Sequence, residues 1–224
     1  MTRQKLSERI LPKYTRGEEI FNMVSHIVGG GLGVVALTLC VIFSAIHKNT
    51  YAIIGCSIYG ASLIMLYTMS SLYHGLSPQT ISKKVFQILD HCSIFFLIAG
   101  TYTPITLSPL REYNPFLGWG IFSVVWAAAI VGIVLNSIDI KKYKKLSAIC
   151  YLLMGWCIVL AWKPTVAALD KNAIFFLLAG GISYTIGAMI YYFFKKKAYS
   201  HSIFHLFVVI GGIFHFFTIF LYCI

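Results

Sequence analysis

Seven long apolar runs constrain the fold of this chain more than any other feature of its sequence. Each run has ~20 residues or more, enough for a helix to cross the ~30 Å hydrocarbon core of a bilayer. The runs cover residues 20–46, 51–74, 86–108, 115–138, 147–168, 172–194 and 199–222. The sequence therefore predicts an all-α integral membrane protein, a bundle of seven transmembrane helices.

The composition supports this class. The chain has 224 residues, of which 58% are hydrophobic and 11% are charged. A soluble domain of this size cannot bury so much apolar surface. The first sixteen residues are too polar for the core of a signal peptide, so we expect the first span to stay in the mature protein. We predict a basic cytoplasmic segment at residues 1–17 and a transmembrane domain at residues 18–224.

Lysine and arginine indicate the orientation of the bundle. The N-terminal segment and the loops after the second, fourth and sixth spans carry 14 of the 18 lysines and arginines. Because such residues concentrate in cytoplasmic loops, the N-terminus is predicted in the cytoplasm and the C-terminus outside. Basic loops against anionic lipid head groups also explain the net charge of +11. We therefore expect membrane lipids as partners and no nucleic acid.

This orientation places the polar residues of the spans at one depth, near the cytoplasmic ends of four helices. They are Glu19, Asn22 and His26 in the first helix, Ser70 and His74 in the second, Asp90 and His91 in the third, and His201 and His205 in the seventh. An ionisable group at the centre of a bilayer costs ~2.5–3.5 kcal/mol on insertion scales, and less near its surface. Such residues are expected to face the bundle interior and to have partners there.

Three of these imidazoles have the spacing of a metal site. His201 and His205 lie one helical turn apart, and His74 would supply a third nitrogen from another helix. Three histidines leave a fourth tetrahedral position for water, which is the layout of a catalytic zinc site. Asp90 would then orient the water, accept its proton or fix the tautomer of a ligand imidazole. A His-x-x-x-His pair alone would favour buried hydrogen bonding, but the convergence of these four residues favours a metal.

Three other features have structural interpretations. His215 lies ten residues beyond His205, ~15 Å further along the helix, and is assigned to helix packing or to a substrate cavity. The six cysteines lie singly within or at the ends of the apolar runs, so they are expected to be packing residues without disulfides. The glycine-rich run at 29–33 is expected to allow close approach of a neighbouring helix.

The same residues resemble the hemolysin III family, which is related to the progestin and adipoQ receptors and, more distantly, to the alkaline ceramidases. The similar segments are "EIFNMVSH", "SSLYH", "LDH" and "HSIFHLFVVIGGIFH", and the resemblance spans residues 18–222. It implies a multi-pass protein of the bacterial inner membrane with a zinc ion near the cytoplasmic leaflet. The implied ligands are His74, His201 and His205, with Asp90 as the carboxylate beside the water and Ser70 as a supporting hydrogen bonder.

The sequence leaves three functions open. The first is a zinc-dependent intramembrane hydrolase, related to ceramidases, that cleaves lipid amides or esters reaching it from the bilayer, with Asp90 as general base. The second is a cytolytic or pore-forming protein with a structural zinc. The third is a non-enzymatic regulator of membrane lipid state and energetics. The substrate and the oligomeric state stay open as well.

Overall fold

The computed structural model describes residues 6–224, and this part of the chain is helical with no strand. The helices are α1 Arg16–Ile46, α2 Thr50–Gly75, α3 Ile81–Ile105, α4 Arg111–Tyr113, α5 Pro115–Gly155, α6 Trp162–Ala168, α7 Lys171–Phe194 and α8 Ser200–Tyr222. A π-helical turn joins α3 to α4, and 3₁₀ turns lie at Leu6–Glu8 and Cys157–Ala161. Within residues 6–224, six helical stretches are long and apolar enough to cross a membrane. The prediction of an all-helical membrane protein is confirmed. Arg3 and Lys5 of the predicted basic segment lie outside the described residues.

Polar residues in the predicted loops define where several helices begin. Thr15 precedes α1, and its hydroxyl accepts a hydrogen bond from the Glu18 amide, while the Glu18 carboxylate accepts one from the Thr15 amide. Asn49 and Thr80 accept bonds in the same way from the Ala52 and Lys83 amides, in the first turns of α2 and α3. These side chains satisfy amides that have no partner inside the helix. Short capped loops therefore hold α1, α2 and α3 as consecutive neighbours.

Glycines bring α1 and α2 into close contact, as the sequence predicts. A Cβ atom at Gly29 would lie 2.7 Å from the Tyr67 ring, and one at Gly60 would lie 2.5 Å from Leu37 Cβ. Any larger side chain at these positions would push the two helices apart. Glu19 and His74 lie at the end of the same interface.

The long helix α5 is interrupted at Asp139. Its backbone is extended there (φ −159°, ψ 95°), and its carboxylate accepts hydrogen bonds from the Lys141 and Lys142 amides. The Asn136 side chain accepts a bond from Ser147 (2.6 Å) and donates one to Tyr151 (3.1 Å). In a continuous helix these residues would be ~17–22 Å apart along the axis. The chain therefore folds back at Asp139, inside the predicted loop between the fourth and fifth spans.

The segment after this reversal is less regular than the predicted span at 147–168. The helix ends at Gly155, and a 3₁₀ turn precedes the short helix α6. The Tyr102 hydroxyl donates to the Gly155 carbonyl (2.9 Å) and accepts from the Ile158 amide (3.1 Å). Pro164 contributes to the break, because a proline has no amide hydrogen and its ring clashes with a regular preceding turn.

Candidate metal centre

Two helices bring the three predicted ligand histidines together. His74 lies in the last turn of α2, and His201 and His205 lie in the first two turns of α8. One ring nitrogen of each lies within 4.8 Å of the others. The Nε2 atoms of His201 and His205 are 3.1 Å apart. Two nitrogens bound to one tetrahedral zinc at 2.0–2.1 Å are ~3.3 Å apart, so this pair already has the spacing of ligands.

Glu19 orients the third histidine. Its Oε2 lies 2.6 Å from His74 Nδ1, which fixes the ring and directs Nε2 into the cluster. His74 Nε2 is buried and has no hydrogen-bond partner among the described residues. A carboxylate on the far nitrogen of a ligand histidine sets its tautomer and raises its basicity. The sequence predicts Glu19 in the polar group around the ligands, and the structure gives it this specific contact.

Lys83 is a member of the site that the sequence interpretation missed. Its position in the sequence predicts a loop lysine, but only 1% of its surface is exposed. Its Nζ lies 2.7 Å from Glu19 Oε1 and donates to the Leu76 carbonyl at 3.0 Å, just beyond the end of α2. The Lys83 ammonium pairs with the Glu19 carboxylate and satisfies a carbonyl that the helix end leaves free. No local sequence signal distinguishes Lys83 from the other loop lysines, because its burial depends on Glu19, which lies across the helix interface.

Aromatic contacts enclose the histidines on two sides. The ring of His26 stacks on His205 with centroids 3.8 Å apart, and Tyr14 stacks on His201 at 5.1 Å. Tyr191 also contacts His201, at 4.9 Å. Burial raises the pKa of Tyr14, so its hydroxyl stays protonated at neutral pH. Tyr14 lies in the segment before α1, which therefore covers part of the site.

Buried polar atoms without a partner collect around this cluster. Within residues 6–224 they include both ring nitrogens of His26, both amide atoms of Asn22, and the hydroxyls of Ser70 and Ser202. A buried polar group without a hydrogen bond costs about 1–3 kcal/mol. A metal ion bound by the triad would supply the missing contact of His74 Nε2, which is one of these atoms. Three imidazoles in this setting fit zinc, whose preferred ligands include histidine nitrogen.

Ser70 lies on α2 with His74, and Asp90 lies on the neighbouring helix α3. Both are buried, and Ser70 is one turn before His74 in α2. The Asp90 carboxylate lies 3.7 Å from His91 Nδ1, which also contacts the Gln87 carbonyl at 2.9 Å. Asp90 is not one of the donors grouped within 4.8 Å. Its assignment as the base beside the water, and that of Ser70 as a hydrogen bonder, stay predictions.

His215 and the cysteines lie outside this cluster. His215 packs on α7, where a Cβ atom at Gly180 would be 2.7 Å from its ring and Tyr184 is a neighbour at 5.3 Å. All six cysteines are free thiols, as expected. The buried histidines therefore divide into the group around the candidate metal site and a packing residue deeper in the bundle.

A helical membrane bundle with a buried cluster of histidines that can hold a metal ion defines the class of this protein. Residues 14–216 match the model of the family described as haemolysin-III related. Hemolysin-3 of Bacillus cereus is 39% identical over 205 residues, which are 92% of this chain and 91% of that protein. The Hemolysin-3 homolog of Bacillus subtilis (strain 168) is 37% identical over 211 residues, 94% of this chain and 97% of that protein. The chain belongs to the haemolysin-III-related family.

A human protein is a more distant relative. Monocyte to macrophage differentiation factor of Homo sapiens is 28% identical over 178 residues, which are 74% of this chain and 68% of that protein. The similarity to the hemolysin III family predicted from the sequence motifs is confirmed, together with a relative outside the bacteria.

Proposed function

We propose that this protein is a zinc-dependent hydrolase that cleaves an amide or ester of a membrane lipid inside the bilayer. The observation that carries the proposal is the set of three histidine nitrogens within 4.8 Å, two of them 3.1 Å apart. His74, His201 and His205 would hold the zinc, which would supply Lewis-acid activation of a carbonyl and of water. Three protein ligands leave a coordination position for chemistry, whereas structural zinc sites are closed by four.

The residues around the triad have separate roles in the proposed reaction. Hydrolysis forms a bond between the carbonyl carbon and a water oxygen, breaks the carbon–nitrogen or carbon–oxygen bond, and moves a proton to the leaving group. Asp90 accepts the proton of the water and returns it to the leaving group. Glu19 holds His74 by its Nδ1, and Lys83 holds Glu19. Ser70 positions the water from the preceding turn of α2.

The topology that we infer has seven spans, with the N-terminus in the cytoplasm and the C-terminus outside. The reversal at Asp139 supports it, because Pro115–Ala168 is 54 residues long and a continuous helix of that length would far exceed a ~30 Å core. Counting its two halves separately turns six helical stretches into seven. The lysines beside Asp139 then lie on the side of the N-terminal segment. We place the protein in the bacterial inner membrane, where the histidine site lies near the cytoplasmic leaflet.

A groove on the side of the bundle supports a lipid as the substrate. It lies between α1 and α2, has a volume of about 530 Å³, and is lined mainly by apolar side chains. Ile27 and Leu72 on its walls are 56% and 41% exposed, so they face the lipid of the proposed membrane. His26 lines the groove and stacks on His205. An acyl chain in this groove reaches the site from the bilayer without crossing water.

Hydrolysis of two lipid probes tests the proposal. The full-length protein is purified, loaded with zinc and incubated in nanodiscs with a fluorescent ceramide or a fluorescent phospholipid, and released fatty acid is measured. The wild-type protein is expected to release fatty acid from at least one probe. Asp90→Asn is expected to lose about 100-fold or more in rate while it keeps its zinc, because general-base catalysis contributes about 10²–10⁴-fold. His215→Ala is the matched control and is expected to keep the rate.

Bound zinc without release of fatty acid from either probe would contradict the proposed hydrolase. Zinc-independent ion flux through liposomes would instead support the cytolytic function that the name Hemolysin-3 denotes for the relatives. A deletion phenotype rescued equally by wild type and by His74→Ala would favour a regulator that does not turn over a substrate.

A further inference from the structure

A second cavity opens beside His201 at the end of the bundle where α1 begins. Its volume is about 440 Å³. Its walls come from separate parts of the chain: the stretch before α1 and the first turn of α1, the second half of α5, the end of α7, the segment between α7 and α8, and the start of α8. Five lysines lie in these walls: Lys13, Lys144, Lys195, Lys196 and Lys197. So many cations from separate segments make the cavity strongly basic.

The charge of these lysines is not neutralised by nearby carboxylates. None of the five makes an ion pair with an acidic residue within residues 6–224. The single carboxylate in the walls is Glu18, which accepts hydrogen bonds from the Thr15 amide and hydroxyl and from the Tyr199 amide. Glu18 therefore links the start of α1 to the residue before α8, and both of its carboxylate oxygens accept hydrogen bonds there.

The cavity leads to the histidine site. His201 lines it and is only partly buried, whereas His74 and His205 are 2% and 1% exposed. Tyr14 also lines it, and its ring stacks on His201. The apolar groove approaches the triad through another residue, His26, which lines it and stacks on His205. The triad is therefore next to a basic cavity at His201 and next to an apolar groove at His26.

We propose that the basic cavity binds a phosphate group, that of an anionic lipid whose acyl chain occupies the groove between α1 and α2. Several ammonium groups around one cavity recognise a phosphate by charge. Lys144 approaches from α5, and Lys195–Lys197 approach from the segment between α7 and α8. The apolar walls of the groove suit the acyl chain of a phospholipid, and the lysines of the cavity suit its phosphate. The lipid is the substrate only if the proposed hydrolase is correct, but its binding requires no turnover.

Native mass spectrometry of the full-length protein in a neutral detergent tests this site with phosphatidylglycerol as the probe. The variant Lys144→Gln with Lys196→Gln removes two charges from the cavity. The matched control, Lys141→Gln with Lys145→Gln, removes two charges from exposed lysines that do not line it. A lysine near an anionic lipid is worth about fivefold in affinity, so the cavity variant is expected to bind about 25-fold more weakly than wild type.

The control variant separates a defined site from diffuse attraction to a basic surface. It is expected to bind phosphatidylglycerol within about twofold of wild type, since its lysines lie in the same basic stretch but outside the cavity. Equal weakening in the two variants, or none in either, overturns the proposal. The melting temperatures of both variants are compared with that of wild type, to check that substitutions at these exposed lysines leave the fold intact.

Two further arms identify the source of the phosphate and separate this inference from the proposed function. Displacement of the lipid by millimolar inorganic phosphate or glycerol phosphate would assign the cavity to a soluble phosphate ester, and resistance to both would assign it to a lipid head group. His74→Ala does not alter the cavity walls and is expected to keep the lipid while it loses zinc. Lipid binding without zinc or hydrolysis would refute the hydrolase alone, and zinc-dependent hydrolysis without selective lipid binding would refute this site alone.

Discussion

The carboxylate of Glu19 and the imidazole of His74 meet at 2.6 Å, and this contact joins the start of α1 to the end of α2 at the edge of the histidine cluster. Lys83 from α3 completes the arrangement by contacting the other carboxylate oxygen at 2.7 Å. Three consecutive helices therefore determine the orientation of one proposed ligand. The other two ligands share α8 and need no such support, since one helical turn sets their spacing.

Glu19→Gln is expected to weaken zinc binding by about 10–100-fold, because an amide cannot support the basicity of His74 as a carboxylate does. Competition with a chelator of known zinc affinity measures the change. Glu18→Gln is the matched control: the neighbouring carboxylate contacts Thr15 and Tyr199 instead of the cluster. Equal zinc affinity in Glu19→Gln and wild type would show that the carboxylate does not support the ligand.

Lys83→Met is expected to destabilise the protein by about 1.5–3 kcal/mol, because it leaves the largely buried Glu19 without its cation. The melting temperature in detergent measures the effect. Adding Glu19→Gln to Lys83→Met is expected to restore part of the loss, since the unpaired charge is then gone. Lys171→Met, an exposed lysine at the start of α7, serves as the control. Similar melting temperatures for Lys83→Met and Lys171→Met would contradict the buried ion pair.

Gly29→Ala is expected to cost about 1–3 kcal/mol of stability, because its Cβ atom would lie 2.7 Å from the buried Tyr67 ring. Gly31→Ala is a strict comparison in the same glycine run, since a Cβ atom added there would have nothing within 4 Å. An exposed helical glycine replaced by alanine gains about 0.5–1 kcal/mol. Thermal denaturation in detergent is therefore expected to show a lower melting temperature for Gly29→Ala than for wild type and a higher one for Gly31→Ala. Equal melting would mean that α1 and α2 are not in close contact at Gly29.

The inferred topology predicts which single cysteines a membrane-impermeant maleimide can label in intact spheroplasts. A cysteine introduced by Lys171→Cys is expected to react, and one introduced by Lys145→Cys is expected to react only after the membrane is permeabilised. The native thiols are buried or partly buried, which keeps the background low. Labelling of both positions, or of neither, before permeabilisation would contradict a reversal of the chain at Asp139 on the cytoplasmic side.

The histidine triad could be predicted because two independent patterns converge on it. One is the His201-x-x-x-His205 spacing, which any helix converts into a shared face. The other is the lysine distribution, which places the end of the second span at the same depth as the start of the last. Once the spans are oriented, His74 lies at the same depth as His201 and His205, so its side chain is predicted to face them in the bundle interior.

Other parts of the site depend on packing that no local pattern records. Lys83 resembles every other loop lysine in the sequence, and only the position of Glu19 across the helix interface accounts for its burial. Tyr14 belongs to a basic segment without a predicted role, yet its ring stacks on His201. The irregular turn after Gly155 depends on the Tyr102 hydroxyl, a contact 53 residues away in sequence.

The metal content of the purified protein tests the central claim most directly. Wild type and His215→Ala, washed free of loose metal, are expected to contain about one zinc ion per chain, because His215 packs on α7 away from the triad. His74→Ala, His201→Ala and His205→Ala are each expected to lose most of it by elemental analysis. Equal zinc in all five proteins, or none in wild type purified with zinc present, would contradict a metal site built from these three histidines.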